Sequence, residues 1–200
     1  AHAADAIGGP RRDQHIQRGA GVMFVDGKVD VENQAMIARM ARQCGREHDV
    51  LYICPGTPQF SNTYNPILKG DPDEVAARLL SLIPSTENNP GADYYKQAAN
   101  QGLTTLIGAI QRTGLAYNFM DLAILLTNAN AMSELERIVQ ASAPNSNEAK
   151  NLSLFLEQFK VSLKPGMPPM LDMKKIKDVF GGIGGRLFTF GTGNFGKVLN

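Results

Sequence analysis

Residues 71–84 read DPDEVAARLLSLIP, and the helix they encode decides the fold. Asp71 is an N-cap residue, and Pro72 suits the first helical position, where its missing N–H costs nothing. Glu74, three residues after the cap, completes a capping box. Val75, Leu79, Leu82 and Ile83 then recur at helical spacing, and Pro84 ends the pattern. The same grammar repeats downstream. A helix from about Tyr94 to Thr113 carries the stripe Ala99, Leu103, Leu106, Ile107 and Ile110, and Gly114 closes it. Asn118 with Asp121, and Ser133 with Glu136, start two more helices, the second stopping at Pro144. Ala149, Leu152, Phe155, Leu156, Phe159 and Leu163 hold helical spacing until Pro165 and Gly166. In LDMKKIKDVFGG, residues 171–182, Ile176, Val179 and Phe180 face inward and the lysines outward, giving a last short helix. The spacing predicts a mainly α protein over Asp71–Phe180.

Upstream the period changes. GVMFVDG (21–27) and VLYIC (50–54) are short apolar runs that read as buried strands. Between them Asp30 caps a helix with Met36, Ile37, Met40, Ala41 and Cys44 on one face, so strand, helix and strand form an expected parallel crossover. PGTPQFSNTYNPILKG, residues 55–70, is a proline-rich loop or crossing between domains. RLFTF, residues 186–190, reads as a third strand. Three strands around a long helical middle are the pattern of a helical domain inserted into an α/β domain. The expected borders are a flexible or expression-derived segment at 1–20, a strand-helix-strand border at 21–66, the all-α domain at 67–183 and a returning strand at 184–200.

Composition narrows the function. The 200 residues are 43% apolar, enough for a core, and no apolar run or signal-peptide core is present, so a soluble chain is expected. Cys44 and Cys54 lack metal-ligand spacing and read as buried thiols in a reducing compartment, with a disulfide as the minor alternative. GTGNFGKV, residues 191–198, matches parts of two nucleotide motifs, G-x-G-x-x-G and G-x-x-x-x-G-K. The first needs a following helix and an acid about 20 residues on. The second needs Ser or Thr after Lys197, where Val198 stands. A glycine-rich turn after a strand is the expectation. His2, His15 and His48 are scattered, and the acidic pairs Asp73/Glu74 and Glu134/Glu136 sit at helix starts that the helix dipole explains. No catalytic, metal or cofactor residue is expected. The net charge of +1 hides an asymmetry: from Lys160 onward seven basic residues face two acids. Lys164, Lys174, Lys175, Lys177 and Arg186 are the candidate contacts for DNA or a partner protein.

The flanks add a resemblance. IQRGAGVMFVDGKVD (16–30) and SNTYNPILKGDPDEVAARLLSLI (61–83) stand either side of the helix and second strand, and YYKQAANQGLTTLIGAIQRTGLAYNFMDLAILLTN (94–128) follows. Together they resemble the conjugative coupling proteins of type IV secretion systems, the TraD-like and DotL-like hexameric ATPases. Arg18, Gly19, Asp26, Lys28, Asp30, Asn62, Asn65 and Pro66 stand where that family carries its Arg-Gly, D-x-K-x-D and N-x-x-N-P elements. The resemblance covers about Ile16–Asn200. It implies a parent homohexamer at the cytoplasmic face of the bacterial inner membrane, driving DNA and protein transfer with ATP and magnesium. Within it this chain would be the all-α domain, with no nucleotide grip of its own and no membrane contact. The implied role is recognition of relaxase or other secreted proteins, with DNA binding through the basic C-terminal region as the alternative. Aromatic residues lie on apolar stripes instead of interleaving with the lysines, which favours a protein partner.

Overall fold

The computed structural model describes residues 15–28, 30–82, 90–162 and 166–200. It divides into two units, Ala1–Asn62 and Thr63–Asn200.

In the first unit, α1 (Val31–Gln43) starts where the sequence places it, with the Asp30 carboxylate accepting the Glu32 N–H at 2.9 Å. The expected strands at 21–27 and 50–54 are a correction: neither forms a ladder among the described residues. A buried strand needs a neighbour on each side, and here side chains take that place. Asn62 accepts the Tyr52 N–H at 2.8 Å and returns its own N–H to the Tyr52 carbonyl at 2.7 Å, while the Ser61 hydroxyl accepts the Cys54 N–H at 2.9 Å. The apolar side chains of these runs stay largely in solvent, Met23 and Leu51 among them. The Arg46 guanidinium donates to the Ile16 and Ala20 carbonyls and holds the 16–20 turn, in which Gly19 has φ 79°.

The second unit is helical. Its α2 (Pro72–Leu80) has the capping box of Asp71 and Glu74, with the Asp71 N–H donated to the Glu74 carboxylate at 3.3 Å. Then come α3 (Pro90–Thr113), α4 (Phe119–Thr127), α5 (Ala129–Ser142) and α6 (Asn147–Glu157). Gly114, at φ 74°, ends α3 in the left-handed region that glycine tolerates. Asn118 caps α4 with its side chain on Met120 N and Asp121 N, and Asp121 answers Asn118 N at 2.9 Å. The cap expected at Ser133 is a correction: Asn128 both ends α4 and caps α5, so Ser133 lies inside a helix. The stripe expected to run helically to Leu163 also breaks earlier. It ends at Glu157, and β1 (Lys160–Val161) pairs antiparallel with β2 (Met170–Leu171), the two described strands. The stop at Pro84 and the end of that stripe at Leu163 and Pro165 lie outside the described residues.

The largest correction concerns the C-terminus. RLFTF is not a strand but the last turns of α7 (Met173–Gly191), and the glycine-rich segment after it is α8 (Gly193–Val198). Leu187 is fully buried in phase with Ile176, Phe180 and Ile183, so the helical stripe runs unbroken through the glycines at 181–185. A five-residue apolar run cannot reveal its own period, which is why RLFTF reads equally as strand or helix. Of the glycines in α7, Gly191 is the one that packing demands: a methyl there would come within 2.8 Å of the Met120 backbone, so the end of α7 lies close against α4.

A single core joins α2 to α7, with Ile67, Val75, Leu79, Leu103, Leu106, Leu122, Met132, Leu152 and Ile176 all essentially inaccessible. The chain enters and leaves this unit at one place. The Tyr64 N–H is donated to the Val198 carbonyl at 2.8 Å, and Asn118 bonds Asn200 at 2.6 Å.

Candidate functional site

The five basic residues singled out from sequence fall on α7 and just before it. Lys164 lies outside the described residues. Lys174, Lys175 and Lys177 are exposed on the first turns of α7, where the buried positions Ile176 and Phe180 fix the helix phase and turn the lysines outward. Arg186, also exposed, lies three turns further on the flank that carries Lys175, about 17 Å along the axis. Three of the five therefore share the first turns of α7, Lys174 and Lys177 on neighbouring positions one turn apart and Lys175 on the flank away from Lys177.

Their surroundings are electrostatically unusual. Asp172 caps α7, its carboxylate accepting the Lys174 N–H at 2.8 Å, but the first turn itself holds no acid. Cations near a helix N-terminus oppose the partial positive charge of the free N–H groups, by roughly 0.3–1 kcal/mol each when exposed. None of the three lysines is in an ion pair among the described residues. Lys160 is the contrast. Its ammonium donates to Glu157 at 2.7 Å and lies 3.7 Å from Glu136, and the hydrogen bond to Glu157 holds its pKa above the ordinary lysine value.

Beside the lysines is a shallow cleft of about 350 Å³. Ala98 and Gln101 line it from α3, and Phe155, Gln158 and Phe159 from the end of α6. Lys175, Asp178 and Val179 supply the α7 side. Phe155 and Phe159 are almost buried and stack edge-on at 5.1 Å, with Phe180 completing a three-ring cluster beneath. No group of three or more His, Cys, Asp or Glu side chains among the described residues is arranged to hold a metal ion.

Sequence reasoning missed how the 62–70 loop is held. The Asn65 side chain donates to the Tyr117 carbonyl at 2.7 Å and accepts the Ile67 N–H at 3.1 Å. Tyr117, buried in turn, donates its hydroxyl to the Ile67 carbonyl at 2.7 Å, and burial raises its pKa. Arg78 donates to the Pro66 carbonyl and, at 2.7 Å, to that of Lys69, while Gln111 reaches Gly70 at 3.1 Å. The Asn65-Pro66 half of the N-x-x-N-P element is thus a structural clamp that seats α2. The Asn-Pro pair was the signal that a fixed turn stood there.

No family model matches the chain, and no solved structure matches it. It is similar to the type 4 coupling protein DotL of Legionella pneumophila subsp. pneumophila (strain Philadelphia 1), 31% identical over 94 residues. That similarity covers 42% of this chain and 12% of the length of DotL. Among the described residues no helix is long and apolar enough to cross a membrane.

Proposed function

We propose that the helical unit is the substrate-recognition domain of a type IV secretion coupling protein, docking relaxosome or effector proteins that a parent hexamer at the inner membrane transfers with ATP and magnesium. The similarity to DotL is the observation that carries this reading. The fold supports it. A helical body in which Tyr64, near the start of the unit, bonds Val198, near its end, is suited to projecting from a larger host. The test is capture of a purified relaxase or secreted substrate by the 200-residue chain at two salt concentrations, with single-stranded DNA as the parallel ligand. Protein capture that survives the higher salt is expected; absence of capture at either concentration overturns the reading.

DNA binding is the second reading, favoured by the exposed and unpaired Lys174, Lys175 and Lys177. It makes a different quantitative demand. Affinity would fall with a log-log salt slope of about −0.7 to −0.9 for each phosphate contacted.

A further inference from the structure

Residues 50–54, VLYIC, belong to the first unit, and their backbone has two different edges. On one edge Tyr52 donates its N–H to the Asn62 side chain at 2.8 Å and accepts the Asn62 N–H at 2.7 Å, and Cys54 donates its N–H to the Ser61 hydroxyl at 2.9 Å. In an extended chain the peptide groups of successive residues point to opposite edges. Leu51 and Ile53 therefore turn theirs away from 61–62, and the backbone of neither has a hydrogen-bond partner among the described residues. Their side chains are in solvent too, Leu51 77% exposed and Ile53 43%. An uncharged apolar edge with free donors and acceptors is a template for another strand. It is also bounded. Asp49 spends its N–H on the Arg46 carbonyl at 3.0 Å, and Pro55, the next outward position, has no N–H to give.

We propose that this edge pairs with the same edge of a second copy of the chain, antiparallel, about a two-fold axis at Tyr52. Leu51 then lies opposite Ile53 of the second copy and Ile53 opposite its Leu51, and each pair exchanges both backbone hydrogen bonds. Self-complementarity names the occupant. The outward residues stand symmetrically about Tyr52, Val50 falls opposite Cys54, and no charge meets a like charge across the axis. Five residues make a small contact, so the dimer belongs to the weak, transient class. The inference goes beyond the docking reading and does not rest on it.

The test is sedimentation equilibrium and amide hydrogen exchange on the full chain from roughly 10 µM to 1 mM, a range that brackets weak association. The dimer fraction is expected to rise with concentration. The Leu51 and Ile53 amides should slow by roughly threefold or more at the top of the range, while those of Tyr52 and Cys54, already held by Asn62 and Ser61, stay unchanged. Two variants at these exposed positions test the register. Leu51→Glu/Ile53→Glu sets like charges opposite each other across the axis, whereas Leu51→Glu/Ile53→Lys sets each glutamate opposite a lysine. The second should associate at least roughly tenfold more tightly than the first, and its association should weaken with salt. Protection of the Tyr52 and Cys54 amides verifies that the segment keeps its place in both. A chain that stays monomeric at 1 mM, as when some other polypeptide completes the edge, overturns the proposal. So does association that leaves the Leu51 and Ile53 amides unprotected, or that both variants lose equally. Substrate capture by the Glu/Glu variant at the wild-type level keeps the two readings apart, because it leaves the docking role standing whatever becomes of the dimer.

Discussion

Gly102, in the middle of α3, should be replaceable by nothing larger. A Cβ built there would come within 2.5 Å of Phe180 Cε1 and 2.9 Å of Phe155 Cζ, and closer still to Phe180 Cζ, where ordinary contact begins at 3.4 Å. Phe180 is fully buried, and its ring sits 6.1 Å from that of Phe155 and 6.2 Å from that of Phe159, so moving one ring displaces all three. In an open helix Gly→Ala gains roughly 0.5–1 kcal/mol from backbone entropy and propensity. Forcing an extra carbon into a filled core costs about 1–3 kcal/mol, and three mutually braced rings put this site at the upper end. The net for Gly102→Ala is therefore a loss of about 1–2 kcal/mol, read as a fall of roughly 3–8 °C in the melting midpoint. Gly181 on α7 is the internal control, because a Cβ there meets nothing within 4 Å. Gly181→Ala should raise stability by about 0.5–1 kcal/mol. Urea titration followed by helical circular dichroism measures both. A Gly102→Ala midpoint at or above wild type would show that α3 and α7 do not approach as described.

Other consequences are equally open to measurement. Asn65→Ala removes two hydrogen bonds that seat the 62–70 loop and should cost about 1–3 kcal/mol in the same titration. Tyr117→Phe leaves the Ile67 carbonyl without its donor inside the core and should cost about 1–3 kcal/mol, the phenol ring itself being retained. In a Cys44→Ser background, thiolate absorbance should report Cys54 titrating at about 7 instead of 9.0, because hydrogen bonds from Thr57 and then Tyr52 favour the ionised sulfur. Thr57→Val takes away the larger of these and should move the midpoint upward; an unmoved midpoint would remove the hydroxyl from the explanation.

The helical unit was legible because its boundaries are written in local chemistry. Asp71-Pro72 with Glu74, Asn118 with Asp121, and Gly114 each satisfy or release backbone groups within a few residues, so their meaning needs no tertiary context. The α5 start was misplaced because Ser133-Glu136 also fits a capping box, and only the shared cap at Asn128 shows that the preceding helix had already ended there. RLFTF was misread because the four glycines at 181–185 look like a terminus. They persist inside α7 because its inner face, from Ile176 to Leu187, is anchored by burial. Of the candidate surface, the lysines could be seen in the sequence and the cleft could not. Ala98, Phe155 and Val179 come from three separate helices, and nothing local says that they meet. The apolar runs at 21–27 and 50–54 carry the composition of strands without the neighbours a ladder requires, and composition does not report neighbours.

The bond between Tyr64 and Val198 also sets how the helical unit answers mechanical load. With both ends of the unit at one point, tension along the chain opens that seam as a zip, one hydrogen bond at a time, and does not shear the packed helices past one another. Pulling by the ends would therefore part Tyr64 from Val198 and Asn118 from Asn200 before the packed helices separate, so the unit yields first at this seam.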